Sequence, residues 1–361
     1  MVGLGEAIAT ARRARGLTQG LLAERLGITQ AALSRYENEL REPTDDALYE
    51  IASTLGVVPD LLSRADRMEG ALAVGAHMRR RATAKPTVWR RLEAQLNLHR
   101  LHAQRLFDEL DLRTELTIPW LDPFEYEPTA AARIVRLQWR MPSGPVRDLA
   151  GWMEAAGCLI IDTDFETTRV DGLSQWSGPH PVVMLNVSAP TDRRRLTLAH
   201  ELGHLCLHSQ GVPDDVEADA TVFAAEFLMP AETIRPQLRN LTLGRLHDLK
   251  RQWGVSMQAL IERAHELGTI TSRERTNFYK RFSARGWRTR EPLSDELAQE
   301  RPRLASEIGK ALLARGHNKS EAAKICGYTA DNPDNPFIND GHRLRLLRWR
   351  NKFTEPASTN K

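Results

Sequence analysis

The sequence predicts a mainly helical protein with one small α+β domain near its centre, preceded by a five-helix unit and followed by a helical C-terminal region. Three observations predict this class. Short helical runs separated by glycine fill residues 1–66, two short apolar runs typical of strands lie at 158–161 and 182–187, and amphipathic helical patterns continue beyond residue 240. The 361 residues, 41% of them hydrophobic, are enough for two or three domains with cores of their own.

The N-terminal unit, residues 1–66, contains four clear helical runs: Gly3–Arg15, Thr18–Leu26, Thr29–Asn38 and Thr44–Leu55. Between the second and third runs, Gly27 allows a tight reversal, Ile28 points inward and Thr29 caps the next helix. Eight residues form the predicted core of this unit: Leu22, Ala23, Leu26, Ile28, Leu33, Ile51, Leu55 and Leu61. The unit therefore has the arrangement of a helix-turn-helix domain.

Four sequence motifs carry a family resemblance: Leu17-Thr18-Gln19, Leu22-Ala23, Ala32 to Asn38, and Arg41-Glu42-Pro43. They resemble the Xre (phage-repressor-like) family of DNA-binding domains. The resemblance implies that the helix Thr29–Asn38 enters the major groove of double-stranded operator DNA. It implies base contacts from the first turn and outward face of this helix and phosphate contacts from the helix before it, so the candidate DNA-binding residues are Thr18, Gln19, Thr29, Gln30, Ala31, Ser34 and Arg35. For each residue, a solvated surface position is the alternative.

Residues 67–131 are predicted to be a basic helical connector and a linker. Between His77 and Arg105 the sequence has eight Lys or Arg residues but one acid, Glu93, which suits contact with phosphate or simply a solvated face. An apolar stripe within it, Val88, Leu92, Leu96, Ala103, Leu106 and Leu110, predicts an amphipathic helix and leaves a homodimer seam open. Proline and acidic residues indicate a linker at Trp120–Pro128.

Residues 132–285 are predicted to form the α+β domain and its helical tail. A helix is expected at Val146–Ala156, a buried strand at Cys158–Ile161 and a second strand at Val182–Val187. If the second strand lies at a sheet edge, it could bind a peptide as an added strand. The alternative is a strand in the sheet interior.

The run His200-Glu201-Leu202-Gly203-His204 is the strongest functional signal. On a helix, residues four apart share one face, so both imidazoles can reach one ion, while Glu201 sits beside that face and could hold water. A helix is expected from Arg193 to His208, capped by Thr191 or Asp192. Gly203 is costly inside a helix unless another backbone must approach closely there.

A third ligand is expected from a second amphipathic helix that begins near Glu217 and ends at Pro230. Glu217 lies on the same side as the buried Ala220 and Ala224. Asp219 is the rival ligand, although it points about 200° away from Glu217 around the helix. Of two nearby residues, Cys206 faces away from the His200 side, and His208, one turn further along, is expected to be packed or hydrogen-bonded.

These elements resemble the ImmA/IrrE metallopeptidases through Val182 to Asn186, Arg195 to His204, and the run from Glu217 to Leu228-Met229-Pro230. The likeness covers about 110 residues and implies a zincin-like core. It implies Zn²⁺ bound by His200, His204 and Glu217, with Glu201 as the general base that takes a proton from water and returns it to the leaving amine. At Thr221 family members more often have Asn or Asp, so the support of a metal ligand is expected to differ.

Helical patterns continue at Leu243–Trp253, Ser256–Leu267 and Ser272–Ser283. Residues 286–361 are predicted to be a helical region of unknown role, with helices at Leu304–Arg315 and Ser320–Gly327 and a basic end at Arg343–Lys352. Within it, Gly316 to Ala323 faintly resembles another helix-turn-helix, although two short helices joined at glycine are common.

Composition excludes some classes of protein. The three cysteines show no pairing pattern, which fits a reducing compartment, and the formal net charge of +3 does not by itself imply nucleic acid. The sequence starts without a basic-then-apolar leader and contains no apolar run near eighteen residues, so a cytoplasmic protein without membrane contact is expected.

Two functions of different classes remain open from the sequence. The first is a DNA-binding regulator whose zinc endopeptidase cleaves a repressor or antitoxin-like protein in response to stress. The second is a regulator or antitoxin that does not cut peptide bonds and uses the peptidase fold as a sensor or as a docking domain for a partner such as a toxin.

Overall fold

The computed structural model describes residues 3–63, 85–110, 114–209 and 213–338. The N-terminal unit has five helices, as predicted: α1 (Leu4–Ala14), α2 (Gln19–Arg25), α3 (Gln30–Glu37), α4 (Asp45–Leu55) and α5 (Pro59–Ser63). Thr18, Thr29 and Thr44 cap α2, α3 and α4, each accepting a backbone N–H three residues ahead. All eight predicted core residues pack in one cluster, where Leu26 and Ile28 are partly buried.

Helix α6 (Pro86–Glu109) joins this unit to the rest of the chain. Ala94, Leu98 and Leu101 pack into the N-terminal core. Leu92, Leu96, Ala103 and Leu106 pack on the central sheet instead. The apolar stripe expected as a possible dimer seam is therefore buried within the chain.

The basic residues of α6 largely have partners inside the protein. Arg100 is 1% exposed and donates to the backbone oxygen of Trp176, and Arg105 pairs with Asp60. These two cations are not available to phosphate. The basic residues at 79–81 lie outside the described residues.

Helices α7 (Pro128–Gln138) and α8 (Leu149–Ala155) lead into a three-stranded sheet of β1 (Leu159–Thr163), β2 (Gly172–Ser177) and β3 (His180–Asn186). The order is β1-β3-β2, with β1 parallel and β2 antiparallel to β3. In the segment expected to be a linker before α7, Leu121 is buried and its N–H donates to the oxygen of Cys206 at 2.9 Å, while Trp120, Phe124 and Tyr126 are exposed.

The sheet forms the middle of three layers. Val182 and Met184 of β3 pack with the α6 side chains, whereas Val183 and Leu185 pack with a helix on the opposite face, as alternation along a strand requires. That helix is α9 (Thr191–Leu207), followed by α10 (Val216–Leu228). The expected cap at Thr191 or Asp192 is wrong, because α9 begins at Thr191 after Pro190, and the Asp192 carboxylate binds Lys250 at 2.5 Å.

The tail comprises α11 (Ala231–Ile234), a 3₁₀ turn (Arg235–Leu238), α12 (Leu243–Trp253), α13 (Met257–Glu266) and α14 (Ser272–Ala284). The segment that follows α14 packs against this domain, and its Glu291 and Glu300 carboxylates form ion pairs with buried Lys and Arg side chains. Lys250, which is 0% exposed, donates to Asp192, Glu291 and Ser294. Arg195 pairs with Glu300 in the same way, so this segment is fixed by buried charge pairs.

The last described helices, α15 (Leu304–Ala314) and α16 (Lys319–Ile325), repeat the layout of α1 and α2 with every bound shifted by 300 residues. Gly16 and Gly316 both have positive φ, as do Gly27 and Gly327. After Thr329 the described residues form turns, where the N-terminal unit has α3. The predicted basic end at 343–352 lies outside the described residues.

This C-terminal pair lies between the N-terminal unit and the sheet. The backbone of Val58 donates to Gly327, and that of Thr329 donates to Gly56. On the other side, Ile308 and Leu312 pack in the cluster that contains β1 and β3. Among the described residues, no helix is both long and apolar enough to cross a bilayer.

Candidate metal centre

Helices α9 and α10 bring three potential metal ligands together. His200, His204 and Glu217 each offer one ligand atom, and these atoms all lie within 4.8 Å of one another. The two imidazole Nε2 atoms are 3.1 Å apart, and the Glu217 oxygens lie 3.4 Å from Nε2 of His200 and 3.5 Å from Nε2 of His204.

This triangle has the dimensions of a zinc site. Ligand atoms about 2.0–2.2 Å from a tetrahedral ion stand roughly 3.3–3.6 Å apart, and the three separations of 3.1, 3.4 and 3.5 Å are close to that range. The donor set of two imidazoles and one carboxylate also suits Zn²⁺. The residues present therefore fit the ion.

Close packing of the two helices makes this convergence possible. A Cβ atom added at Gly203 would lie 3.1 Å from ring atoms of Phe223 and 3.2 Å from Cα of Ala220. The close backbone approach expected at Gly203 is therefore present, and it comes from the helix that carries Glu217.

The two imidazoles also affect the pKa of the Glu217 carboxyl. Burial acts to raise this pKa, but hydrogen bonds and charge from His200 and His204 outweigh burial and lower it.

Glu201 stays out of the triangle, as expected. Its side chain is directed to strand β2, where the Ser174 hydroxyl donates to Oε2 at 2.7 Å. A Cβ at Gly172 would lie 3.2 Å from Oε1, so β2 passes closely over the carboxylate. Ser174 thus holds one oxygen of the candidate general base.

The other neighbours of the triangle are Thr221, His208 and Asp219. The Thr221 oxygen lies 3.5 Å from Nδ1 of His200, and its hydroxyl donates to the Glu217 backbone oxygen at 2.8 Å. Nδ1 of His204 lies 2.9 Å from Nδ1 of His208. Asp219 is outside the ligand triangle, and its Oδ2 lies 3.8 Å from Nε2 of His208.

The strand beside the site is β2, and of the two alternatives for Val182–Val187 the sheet interior is the one the structure has. That segment forms the buried central strand β3, because parallel β1 and antiparallel β2 pair on its two sides. The backbone N–H of Asn186 donates to the backbone oxygen of Asp171, so these two residues form a hydrogen-bonded pair. Because hydrogen-bonded and non-hydrogen-bonded pairs alternate along an antiparallel ladder, the backbone N–H and C=O groups of Gly172 and Ser174 point away from β3. The sheet edge next to Glu201 is therefore β2.

The candidate DNA-binding residues lie along α2 and α3. Gln30, Ala31 and Arg35 are exposed on α3. Three others have local roles, since the Thr18 and Thr29 hydroxyls cap helices and the Gln19 amide donates to Glu37 at 2.8 Å. Ser34 is half-buried, and its hydroxyl and backbone oxygens accept from the Asn38 amide.

Comparison with protein families assigns both regions. Residues 8–62 match the Helix-turn-helix family, and residues 153–265 match the IrrE N-terminal-like domain. The chain is a helix-turn-helix protein fused to an IrrE-like domain. No curated protein matches the chain.

One solved structure matched to this helix-turn-helix and IrrE-like chain is Bacillus thuringiensis PlcR in complex with the peptide PapR7 and DNA. It is 15% identical and covers 99% of this chain and 100% of that chain. The TM-score of 0.16 is too low to indicate a shared overall fold.

Several residues around the IrrE-like site have no clear sequence signal. Strand β2 reads Gly-Leu-Ser-Gln-Trp-Ser, in which Leu173 and Trp176 are three apart and do not alternate. Ser174 could therefore not be placed beside Glu201. Helix α7 was missed as well, although Pro128 at its first position is a known start signal that could have revealed it.

Proposed function

We propose that this chain is a DNA-binding transcriptional regulator whose IrrE-like domain is a zinc endopeptidase acting on a repressor or antitoxin-like protein. The convergence of His200, His204 and Glu217 carries the proposal, because three ligand atoms at zinc-like separations leave a fourth position open. The helix-turn-helix domain supports binding to an operator. We assign DNA binding to residues 1–66, the connector to 67–131 and peptidase function to 132–285, and we assign no role to 286–361.

Chemistry at the site would use the ligand triangle and the carboxylate beside it. His200, His204 and Glu217 would hold the zinc, which would supply Lewis-acid polarisation of the scissile carbonyl and a lowered pKa, toward about 7, for water. Glu201 takes a proton from the attacking water and passes it to the leaving amine. Ser174 holds Oε2 of Glu201, which leaves Oε1 for the proton.

Strand β2 is the proposed docking site for the polypeptide substrate. The outward N–H and C=O of Ser174 can pair with an extended peptide, which would then run alongside Glu201. Backbone pairing of this kind requires an unfolded or extended segment, so a flexible region of the target is the expected site of cleavage.

Zinc binding can be tested by metal analysis of protein purified without chelators. We expect about one zinc per chain in the wild type and a large loss in His204→Ala. His265→Ala is the matched control, because His265 bonds to Ser272 in the tail and should leave zinc unchanged. A metal-free wild type would contradict the zinc proposal.

Catalysis can be tested with candidate repressors, beginning with the product of the neighbouring open reading frame. We expect fragments with the wild type and none with Glu201→Gln, while Glu201→Gln keeps its zinc because Glu201 is outside the ligand triangle. Equal cleavage by both proteins would remove Glu201 from the proposed role.

DNA binding can be tested by a shift assay on the chain's own upstream region. Arg35→Ala should weaken specific binding by roughly 5- to 150-fold, the loss for a base contact worth about 1–3 kcal/mol. Arg13→Ala, an exposed arginine on α1, is the control and should change affinity much less. Unchanged affinity in Arg35→Ala would contradict the assignment to base reading.

One observation favours the alternative, a regulator or antitoxin that binds a partner without cleaving it. Glu201 is 6% exposed and one of its oxygens already accepts from Ser174, so access to the candidate base is narrow. In that case zinc would be retained and the partner, such as a toxin, would co-purify intact with both wild type and Glu201→Gln.

A further inference from the structure

The end of helix α9 places a third histidine behind the proposed zinc ligands. His208 is one turn beyond His204, and its side chain is 0% exposed. The two Nδ1 atoms are 2.9 Å apart, which is a hydrogen bond in which one ring must donate and the other must accept. Which ring donates depends on the proton positions of both rings.

The proposed zinc site determines the direction of this hydrogen bond. His204 faces His200 and Glu217 with Nε2, and a nitrogen that binds zinc must offer its lone pair. The proton of neutral His204 is then on Nδ1 and is donated to Nδ1 of His208. His208 in turn carries its own proton on Nε2.

Helix α10 supplies a carboxylate that favours this proton arrangement. Oδ2 of Asp219 lies 3.8 Å from Nε2 of His208, the nitrogen that carries the proton. Asp219 follows Glu217 by two residues, so α10 directs one carboxylate to the ligand triangle and another to the histidine behind it. The negative charge favours a proton on Nε2 of His208 over one on Nδ1.

We propose that His208, whose Nε2 proton is favoured by the charge of Asp219 3.8 Å away, is a positioning residue that holds His204 in the tautomer and ring orientation needed to bind zinc through Nε2. This inference rests on the proposed zinc site and extends it from three residues to five. It also makes the two imidazole ligands unequal. His200 has the Thr221 oxygen at 3.5 Å from its Nδ1, whereas His204 has a 2.9 Å contact to a fully buried ring.

The test measures zinc affinity by competition with a chromophoric chelator, using zinc alone as the probe. His208→Leu should bind zinc about 10- to 100-fold more weakly than the wild type, the usual cost of losing such a supporting hydrogen bond. Thr221→Val, which removes the weaker contact to His200, is the matched comparison and should lose less. Asp219→Asn should lie between the wild type and His208→Leu, because it removes the charge but keeps a polar partner.

Conservative replacement separates positioning from packing. The amide oxygen of His208→Gln can accept from His204 while its NH₂ group faces Asp219, so we expect this variant to recover most of the affinity lost in His208→Leu. Thermal unfolding of each variant in EDTA reports the fold without metal. Weaker zinc binding in His208→Leu with an unchanged metal-free unfolding temperature supports positioning.

Three results would overturn the inference. Equal zinc affinity of His208→Leu and the wild type would overturn it alone and leave the zinc site standing, as would a His208→Gln variant no better than His208→Leu. A wild type that binds no zinc would instead overturn the proposed function, and this inference with it.

Discussion

Gly203 offers a direct test of the packing that builds the candidate site. Replacing glycine by alanine within a helix ordinarily stabilises a protein by about 0.5–1 kcal/mol, because the unfolded chain loses freedom. At Gly203 the new methyl would lie 3.1 Å from the Phe223 ring and 3.2 Å from Cα of Ala220, which is about 0.4 Å inside an ordinary carbon contact. Both neighbours are fully buried, so neither can yield into solvent.

The expected result for Gly203→Ala is a loss of stability. Overpacking of a filled core costs roughly 1–3 kcal/mol, which exceeds the helical gain, so we expect a net loss of up to about 2 kcal/mol in the free energy of unfolding. Any outward shift of α10 also carries Glu217 away from the two imidazoles, so zinc affinity should fall as well.

Urea unfolding in EDTA measures the first effect, with Gly244→Ala as the matched control. Gly244 lies in helix α12, where a Cβ would meet nothing closer than the Thr242 hydroxyl at 4.0 Å. This variant should therefore show the ordinary gain of about 0.5–1 kcal/mol. If Gly203→Ala were stabilised as much as Gly244→Ala, the close approach of α10 to α9 would be refuted.

Three further predictions concern buried polar groups, each checked by the free energy of unfolding. Lys250→Met should lower the free energy of unfolding by about 3–5 kcal/mol, because it leaves the carboxylates of Asp192 and Glu291 buried without their cation. A loss below about 1 kcal/mol would contradict this ion-pair network. Asn186→Ala should cost roughly 1–3 kcal/mol, since its amide donates to two loop carbonyls at 2.7 and 2.9 Å. Asn277→Ala, at an exposed position of helix α14, is the control and should change stability much less. Burial raises the pKa of Glu154 to about 7, so the folded state keeps a proton that the unfolded chain releases above about pH 4.5. The free energy of unfolding of the wild type should therefore fall by up to about 3 kcal/mol between pH 4.5 and 7. Glu154→Gln should remove that fall.

Most helices of this protein, although not α7, could be predicted because their signals are local. Thr18, Thr29 and Thr44 begin three of the predicted helical runs, and in the structure each hydroxyl accepts a backbone N–H at the start of α2, α3 or α4. The start of α9 was misplaced for a reason outside local sequence. Asp192 looks like a cap, but its carboxylate binds Lys250, which is 58 residues away along the chain.

The candidate metal site was likewise predictable only in part, since some of its residues have local signals and others do not. The helical repeat puts His200 and His204 on one face whatever surrounds them, and Gly203 signalled that another backbone would come close. Strand β2 and its Ser174 could not be found, because an edge strand with two apolar residues has no clear alternation. His208 was expected to be packed or hydrogen-bonded, yet the partners that give it a role could not be named.

The sequence alone predicted most of the helices, many of the inward-facing residues, and three side chains chemically suited to zinc, because capping and 3.6-residue periodicity act within a few residues. The tertiary structure decided how these elements meet. It placed β3 inside the sheet and β2 at its edge, buried α6 between two cores, and set Asp219 behind His208. Those outcomes depend on contacts between segments far apart in the chain, for which the free energy is set by packing and charge burial rather than by local propensity.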